Sequence, residues 1–237
     1  MKITLLAHTT LEQFPEDVTE TMFGARVFVN AHDTDSDVLG EFAGRACYQA
    51  WDMPNPKTRV NSGYLANIIN QGHFSVLEHA SATFYAEGVS RSLTHELIRH
   101  RHLSYSELSQ RYVDMAEAPF IVPPALQHNN DGKSEMPMGD DVIETYNDVV
   151  NYLVNDKGVK RKQAREAARA FMPNATETKI VVTGNMRAWR DMLAKRWHVA
   201  ADAEIREFAG EILSHLKTIA PNSFQDVPNK PYGSEDQ

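Results

Sequence analysis

Cysteine is almost absent from this chain of 237 residues, which contains a single one, Cys47. One thiol cannot form an intrachain disulfide, and no apolar run resembles a signal segment or a membrane span. We therefore expect a cytoplasmic protein without a membrane partner. Because Cys47 lies among small and apolar residues, we expect a buried structural thiol rather than a reactive one.

Positive charge is also scarce, since 24 lysines and arginines stand against 32 acidic residues and leave a formal net charge of −8. That balance argues against a protein that binds nucleic acid or anionic lipid through bulk electrostatics. The chain also lacks the Gly-rich loops of Rossmann and P-loop proteins and the Gly-x-Ser-x-Gly elbow of serine hydrolases. A local basic cluster must therefore hold any anionic ligand.

The sequence predicts strands near residues 2–9, 79–88 and 177–185, the second from its alternation and the third from its β-branched residues, with helices between them and a helix-rich C-terminal half. Ser36 is the expected cap of the first helix, and Gly72 the expected end of the second. Ser104 and Glu107 have the spacing of a capping box that begins another helical turn. One long helix is expected to begin near residue 185 and to carry its apolar stripe as far as Ile212.

The organisation predicted for residues 1–237 is a single domain. Its length and its hydrophobic content of 42% suffice for a sizeable core. A polar stretch at about 128–141 predicts a flexible loop, and the composition of about 228–237 predicts a mobile tail.

The basic segment RHRHLSYSELSQRY at 99–112 contains three arginines, two histidines and three serines. Guanidinium groups hold phosphates through paired, charge-assisted hydrogen bonds, so the segment favours an anionic ligand. Neighbouring helical residues point about 100° apart, so Arg99 and Arg101 cannot share one solvent face, and one should point inward or across an interface. Ser109 suits hydrogen bonding to the anion better than nucleophilic attack, because no base is placed beside it by spacing.

Two further basic clusters lie at 157–169 and 187–196, which suggests more than one phosphate. Part of the first cluster is more simply a solvated helix face, namely Lys157, Lys160, Arg161 and Lys162.

Two other interpretations remain open at this point. A metal-dependent phosphohydrolase acting on nucleotides would use His73, His79, His100 and Glu78 as ligands. An RNA- or nucleotide-binding regulator would use the strip from Arg99 to Arg111. We expect neither a metal nor nucleic acid, because the arginines repel a cation and the chain as a whole is acidic.

The order Arg99-His100-Arg101, seven residues, then Ser109 resembles the R-H-R-x7-S signature of the flavin-dependent thymidylate synthases. Similar family elements occur in the same order at 72–79 (GHFSVLEH), 169–173 (RAFMP) and 184–196 (GNMRAWRDMLAKR). The resemblance implies an α+β fold of the thymidylate synthase-complementing type, with a central, mostly antiparallel sheet flanked by helices. It also implies a homotetramer with active sites between subunits.

The activity implied by the resemblance is reductive methylation of dUMP to dTMP. 5,10-Methylenetetrahydrofolate donates the carbon and leaves as tetrahydrofolate, FAD carries the hydride, and NADPH is the reductant. The contacts to FAD, matched by position, are Ser75, Arg99, His100, Arg101, Glu107, Asn185, Arg187 and Asp191. The contacts to dUMP are Glu96, Arg99, Glu107, Leu108, Ser109, Gln110, Arg111, Arg169 and Arg196.

Arg196 matches the catalytic arginine of the family. A fixed guanidinium near N3 and O4 of uracil stabilises negative charge that develops there. No cysteine nucleophile is implied, and Cys47 lies outside every matched element.

Two positions depart from the family pattern. Ala200 stands where a histidine is common, and His198 lies two residues earlier, which on a helix is about 200° of rotation. We therefore do not expect His198 to replace it. Glu96 stands where some members have glutamine, so its carboxylate is expected to accept a hydrogen bond from the ribose but to donate none.

Overall fold

The computed structural model describes residues 1–14, 16, 33–52, 55–127 and 139–235. Within them, four strands form one antiparallel sheet in the order β1, β2, β4, β3. β2 and β4 are central, and the short β3 is an edge strand. This confirms the α+β class with an antiparallel sheet. The strands are β1 (Lys2–His8), β2 (Ser81–Ser90), β3 (Ser104–Glu107) and β4 (Glu177–Asn185).

Helices occupy most of the remaining described chain. The α-helices are α1 (Asp35–Tyr48), α2 (Asn61–Asn70), α3 (Arg91–Leu97), α4 (Gly139–Asn151), α5 (Arg161–Ala168), α6 (Met186–Arg196) and α7 (Ala203–Ile219). A short π-helical turn, Tyr152–Asp156, continues α4. Single 3₁₀ turns lie at Pro56–Thr58, Phe74–Glu78, Pro124–Leu126, Arg169–Phe171 and Asn222–Phe224.

The main core lies between one face of the sheet and helices α6 and α7. Phe84 of β2 packs edge-on against Trp189 of α6, with ring centroids 5.2 Å apart. Gly184 of β4 permits this packing, because a Cβ there would lie 2.2 Å from the side chain of Leu103. The core therefore fixes the middle of the basic segment against the sheet.

A second, smaller core lies under the other end of the basic segment. Helices α4 and α5 bury Tyr146, Val150, Ala164 and Ala168 against Met115, which follows the segment. The segment is thus held between two apolar clusters, and its polar side chains are available for other contacts.

Three local predictions were wrong. Ser36 lies inside α1, and its Oγ is buried without a hydrogen-bond partner among the described residues. Ser104 and Glu107 belong to β3, because they pair with Thr183 and Ile180 at the otherwise free edge of β4. The long helix is broken after Arg196, and α7 begins with a new cap.

The new cap is Asp202, whose carboxylate accepts the Glu204 N–H at 3.0 Å. Between α6 and this cap, the backbone and side chain of Trp197 bind the C-terminal tail. The Tyr232 N–H donates to the Trp197 carbonyl at 2.9 Å, and the Trp197 indole donates to the Pro228 carbonyl at 2.9 Å. Hydrogen bonds in the described part of the tail extend to Ser234, and the predicted mobility of the tail stays a prediction.

Other predictions fall partly outside the described residues. Of the loop predicted at about 128–141, residues 128–138 lie outside them, and α4 already begins at Gly139. Residues 236 and 237 of the tail also lie outside. Gly72 ends α2 as predicted, with a φ of 71°. No helix in the described ranges has both the length and the apolar character needed to cross a membrane.

Candidate active site

Arg196, the last residue of α6, is held by three hydrogen bonds. Its Nε donates to Nε2 of His100 at 3.1 Å, one terminal nitrogen donates to the Glu96 carboxylate, and the other donates to the Glu96 carbonyl at 3.2 Å. The structure thus brings together the predicted catalytic arginine and two predicted ligand contacts. Each terminal nitrogen keeps one N–H, so the guanidinium still offers a pair of donors.

The ring of His100 is buried between Arg196 and Asp191. Its Nδ1 lies 3.5 Å from Oδ2 of Asp191, which is long for a hydrogen bond. Burial first, and the positive charge of Arg196 second, lower the pKa of His100 below its usual value, although Asp191 opposes them. We conclude that the ring is neutral at neutral pH.

Asp191 is ionised in this arrangement. Its two oxygens accept from Nζ of Lys195 at 2.6 and 2.7 Å. Burial raises the pKa of Asp191, but Lys195 and His100 together outweigh burial and hold the pKa below its usual value. The C-terminal half of α6 therefore places one negative and two positive charges around His100.

Two clefts that share Arg187 lie beside this group. The first, about 370 Å³, is lined by Asn185, Arg187 and Asp191 together with Glu78 and His102. The second, about 460 Å³, is lined by Ser75 and Arg187. Four of the predicted FAD contacts therefore converge here.

Local structure explains these positions. The Asn185 side chain caps α6 by accepting the Ala188 N–H at 2.8 Å, so Asn185 and Arg187 lie at a helix N-terminus. Arg187 donates to Glu78 at 2.5 Å, which ties α6 to the 3₁₀ turn that carries Ser75. The sequence analysis gave Glu78 an individual role only as a metal ligand, because nothing in its spacing indicates that an arginine of α6 is its partner.

Cys47 is exposed and lines the second cleft, so the prediction of a buried thiol was wrong. Helix α1 buries Glu41 and Arg45 on its inner face. Cys47 lies two residues after Arg45, which turns it to the opposite side.

Glu107 at the end of β3 is fixed by α3. Its carboxylate accepts from Oγ1 of Thr94 at 2.9 Å and lies 3.4 Å from Nη1 of Arg91. The following Leu108 N–H donates to the Lys179 carbonyl at 2.8 Å. The sequence analysis did not single out Thr94 or Arg91, since both precede the signature in an ordinary helical pattern.

A tight turn presents the next residues of the signature. The Ser109 carbonyl accepts the N–H groups of Tyr112 and Val113 at 3.1 and 3.0 Å. Gln110 within this turn is buried, and its Nε2 has no partner in the described parts of the chain. A buried amide donor without a partner is costly, which favours a ligand acceptor at this place.

Arg165 of α5 supports the same turn. It donates to the Tyr112 carbonyl at 2.9 Å and also pairs with Asp114. Arg169 lies four residues later, and residues four apart share one side of a helix. Arg165 therefore supports the turn, and Arg169, the C-cap residue that follows α5, lies on the same side; the signature alone did not indicate this role for Arg165.

Four predicted ligand-binding arginines have no carboxylate partner. Arg99, Arg101 and Arg111 are exposed and Arg169 is half-buried, and none makes a side-chain hydrogen bond or ion pair with a described residue. Other arginines of the chain are paired, as Arg45, Arg165 and Arg190 are. Arginines without carboxylate partners, three of them within thirteen residues of an acidic chain, favour a ligand with more than one phosphate.

Arg99 and Arg101 are both exposed, so neither points into the interior of this chain. The alternative in which one of them points inward is therefore wrong, and the contact across an interface stays a prediction. Helix α3 in fact ends at Leu97, so the pair lies beyond it and the helical angle does not apply.

His198 does not face Arg196. Its Nδ1 accepts the Ala200 N–H at 3.0 Å, and the residue bridges to Tyr232. The helical rotation that we used to exclude His198 does not apply, because α6 has already ended. The ring is instead held by its own loop.

The metal interpretation has no ligand set among the described residues. No group of three or more His, Cys, Asp or Glu side chains is placed there to hold a metal ion. His100, one of the proposed ligands, directs a nitrogen at Arg196, which can only donate.

Comparisons with known proteins agree with the signature. A family model described as "Thymidylate synthase complementing protein" matches residues 29–222. A probable flavin-dependent thymidylate synthase of Mycobacterium phage D29 is 50% identical over 239 residues and covers 98% of each chain. A flavin-dependent thymidylate synthase of Mycobacterium tuberculosis is 53% identical over 203 residues, which is 81% of each chain.

A solved structure is similar in fold. The crystal structure of Thymidylate Synthase X from Helicobacter pylori with FAD and dUMP superposes with a TM-score of 0.61 and covers 95% of each chain. Its sequence identity is 19%, so this likeness concerns the fold alone.

Proposed function

The chain belongs to the thymidylate synthase complementing protein family, and on that premise we propose that it is a flavin-dependent thymidylate synthase that converts dUMP to dTMP. The observation that carries the proposal is the set of arginines without carboxylate partners within the family signature and directly after α5. In the proposed reaction 5,10-methylenetetrahydrofolate donates the carbon and leaves as tetrahydrofolate, and NADPH is the reductant.

The residues present fit FAD. Arg99 and Arg101 offer free guanidiniums to a pyrophosphate, and the clefts around Arg187 have room for the remaining groups. When bound, FAD supplies hydride transfer, which no side chain can perform. We propose as its contacts Ser75, Arg99, His100, Arg101, Glu107, Asn185, Arg187 and Asp191.

We propose that dUMP lies between the turn at Ser109 and Arg196. The Ser109 hydroxyl, the unpartnered Gln110 amide, Arg111 and Arg169 are donors suited to its phosphate. Glu96 binds Arg196 through Oε2, and its Oε1 remains to accept from the ribose hydroxyl.

The chemical role of Arg196 follows from how it is held. Methylation at C5 requires an electron-rich uracil ring. Negative charge accumulates at N3 and O4 when the ring becomes electron-rich. The two N–H groups that Arg196 keeps, one on each terminal nitrogen, match that pair of atoms. Because His100 and Glu96 fix the guanidinium in advance, little reorganisation is needed when the charge develops.

We also propose a cytoplasmic homotetramer with active sites between subunits. Apolar side chains are exposed on both sides of the signature, with Ile98 45%, Tyr112 60% and Val113 44% exposed. Exposed apolar groups next to unpaired arginines suit a subunit contact that completes a site. Light scattering of the purified protein measures the assembly, and a monomeric mass at micromolar concentration would exclude it.

The decisive experiment begins with the visible spectrum of the purified protein. We expect a yellow protein that NADPH bleaches without oxygen, at a rate that dUMP changes. Chromatography should then detect dTMP once 5,10-methylenetetrahydrofolate is added. A protein that stays colourless after FAD is supplied would overturn the proposal.

A pair of variants tests the assignment of the arginine. Arg196→Ala should fold and retain FAD but form no dTMP. The control is Arg161→Ala, an exposed arginine of α5 outside the proposed contacts, which should turn over like the wild type. Turnover by Arg196→Ala would show that the catalytic arginine is misplaced.

A further inference from the structure

The contacts of His100 determine its protonation state. Nε2 lies 3.1 Å from Nε of Arg196, and an arginine can only donate. Nε2 must therefore present a lone pair. The one proton of a neutral ring is then on Nδ1, the nitrogen that faces Asp191 at 3.5 Å. A protonated ring would direct an N–H at the N–H of Arg196, and the hydrogen bond would be lost.

We propose that His100 is a positioning residue. Its neutral, Nδ1-protonated ring orients Arg196, and protonation of the ring releases Arg196. Its side chain is 4% exposed and both ring nitrogens face α6, so the proposed contact of His100 with FAD does not use these nitrogens, and they are available to orient Arg196. The inference rests on the proposed function only in assigning uracil activation to Arg196.

The charges around the ring fix the direction of the pH dependence. On α6, Arg196 and Lys195 disfavour a protonated ring and Asp191 favours it. From α3, Glu96 contacts the guanidinium rather than the ring, and Arg99 and Arg101 add exposed positive charge beside it.

With burial as the largest cause, these groups lower the pKa of His100 below its usual 6.5. Orientation of Arg196 is therefore complete at neutral pH and is lost as the pH falls through a value below 6.5.

The loss of orientation should appear as an acid limb, the fall of kcat on the acidic side of the pH profile. Two variants at exposed positions should move this limb in opposite directions. Asp191→Asn removes the charge that favours protonation, so the limb of kcat at saturating dUMP should shift to lower pH. Lys195→Gln removes a charge that disfavours it, so the limb should shift to higher pH. Each shift should be about half to one pH unit, because both side chains are partly solvated.

Substitution of the ring itself separates orientation from packing. His100→Gln keeps an acceptor near the place of Nε2 and does not titrate, so it should retain most of kcat and lose the acid limb. His100→Leu has similar bulk without an acceptor, so kcat should fall about a hundredfold while flavin content and the KM for dUMP stay within about threefold. Ionisation of the dUMP phosphate is common to all variants and cancels in the comparison.

Three outcomes would overturn the proposal. They are an acid limb that stays in place in Asp191→Asn and Lys195→Gln, equal shifts of both in one direction, or wild-type kcat in His100→Leu.

The ring can also be examined without turnover. The C2 hydrogen of the ring exchanges in heavy water at a rate that depends on the protonation of the ring, and mass spectrometry of the holoenzyme measures this rate. The midpoint of the rate's pH dependence should lie below pH 6.5. Titration at or above 6.5 would contradict the proposal. If the wild type forms no dTMP, the proposed function fails, whereas this exchange still tests the ring.

Discussion

Ser90 connects the sheet to the helix that leads into the arginine-rich segment. Its Oγ accepts the Leu93 N–H at 3.0 Å, which caps α3, and donates to Oε2 of Glu204 at 2.6 Å. Ser90 is 2% exposed, so water cannot replace either bond. We predict that Ser90→Ala lowers the free energy of unfolding by about 3 kcal/mol, about 1 from the cap and about 2 from the bond to a buried carboxylate.

The assay is urea unfolding followed by tryptophan fluorescence. Subunit and FAD concentrations are held fixed, because anything that binds the folded state adds to apparent stability. With an m-value of about 3 kcal/mol/M for a chain of this size, the midpoint should fall by about 1 M. Ser90→Thr keeps the hydroxyl and is the matched control.

The double mutant tests the cause of the loss. In a Glu204→Gln background the acceptor is neutral, so Ser90→Ala should cost about 1 kcal/mol less than in the wild type. A loss below about 1 kcal/mol in the wild type, or the same loss in both backgrounds, would refute the argument from a buried charged acceptor.

Three further predictions concern the site. Arg165→Ala should raise the KM for dUMP about tenfold and leave kcat within about threefold, because losing the bond to the Tyr112 carbonyl loosens the substrate turn by about 1.4 kcal/mol. Steady-state kinetics measure this, with Arg161→Ala as control; an unchanged KM would contradict it. Cys47, the single thiol, should react with an aromatic disulfide reagent in the native protein and more slowly with FAD bound; no reaction before unfolding would show that it is buried. Arg99→Ala should weaken FAD and dUMP together in equilibrium titrations, and selective loss of one ligand would exclude a shared contact.

Much of the fold followed from periodicity alone. β4 alternates between core and outer face along its whole length and β2 does so from Ser81 to Glu87, and both were predicted within two residues of their bounds. β3 was missed because its four residues, SYSE, are too few and too polar to show a period. Its strand conformation comes from the unpaired edge of β4, which lies more than seventy residues away in sequence.

The sequence likewise predicted some residues of the site and missed others. The signature indicated Arg99, Ser109 and Arg196 because the spacing of the family is unusual. It did not indicate that Glu96 and His100 contact Arg196, since Arg196 lies about a hundred residues away in sequence and meets them only in the folded chain. Arg165 was missed because its partner is a backbone carbonyl, which has no sequence pattern.

The seven residues between Arg101 and Ser109 can be understood as a fixed length. Four of them are the edge strand β3, and the strand ends where Glu107 meets Thr94. Inserting one residue would exchange the two faces of the strand, so Glu107 would turn away from α3. Inserting two would restore the face but displace Ser109 by about 7 Å from Arg196. The number in the signature therefore corresponds to the length of a β-strand and the turn that follows it.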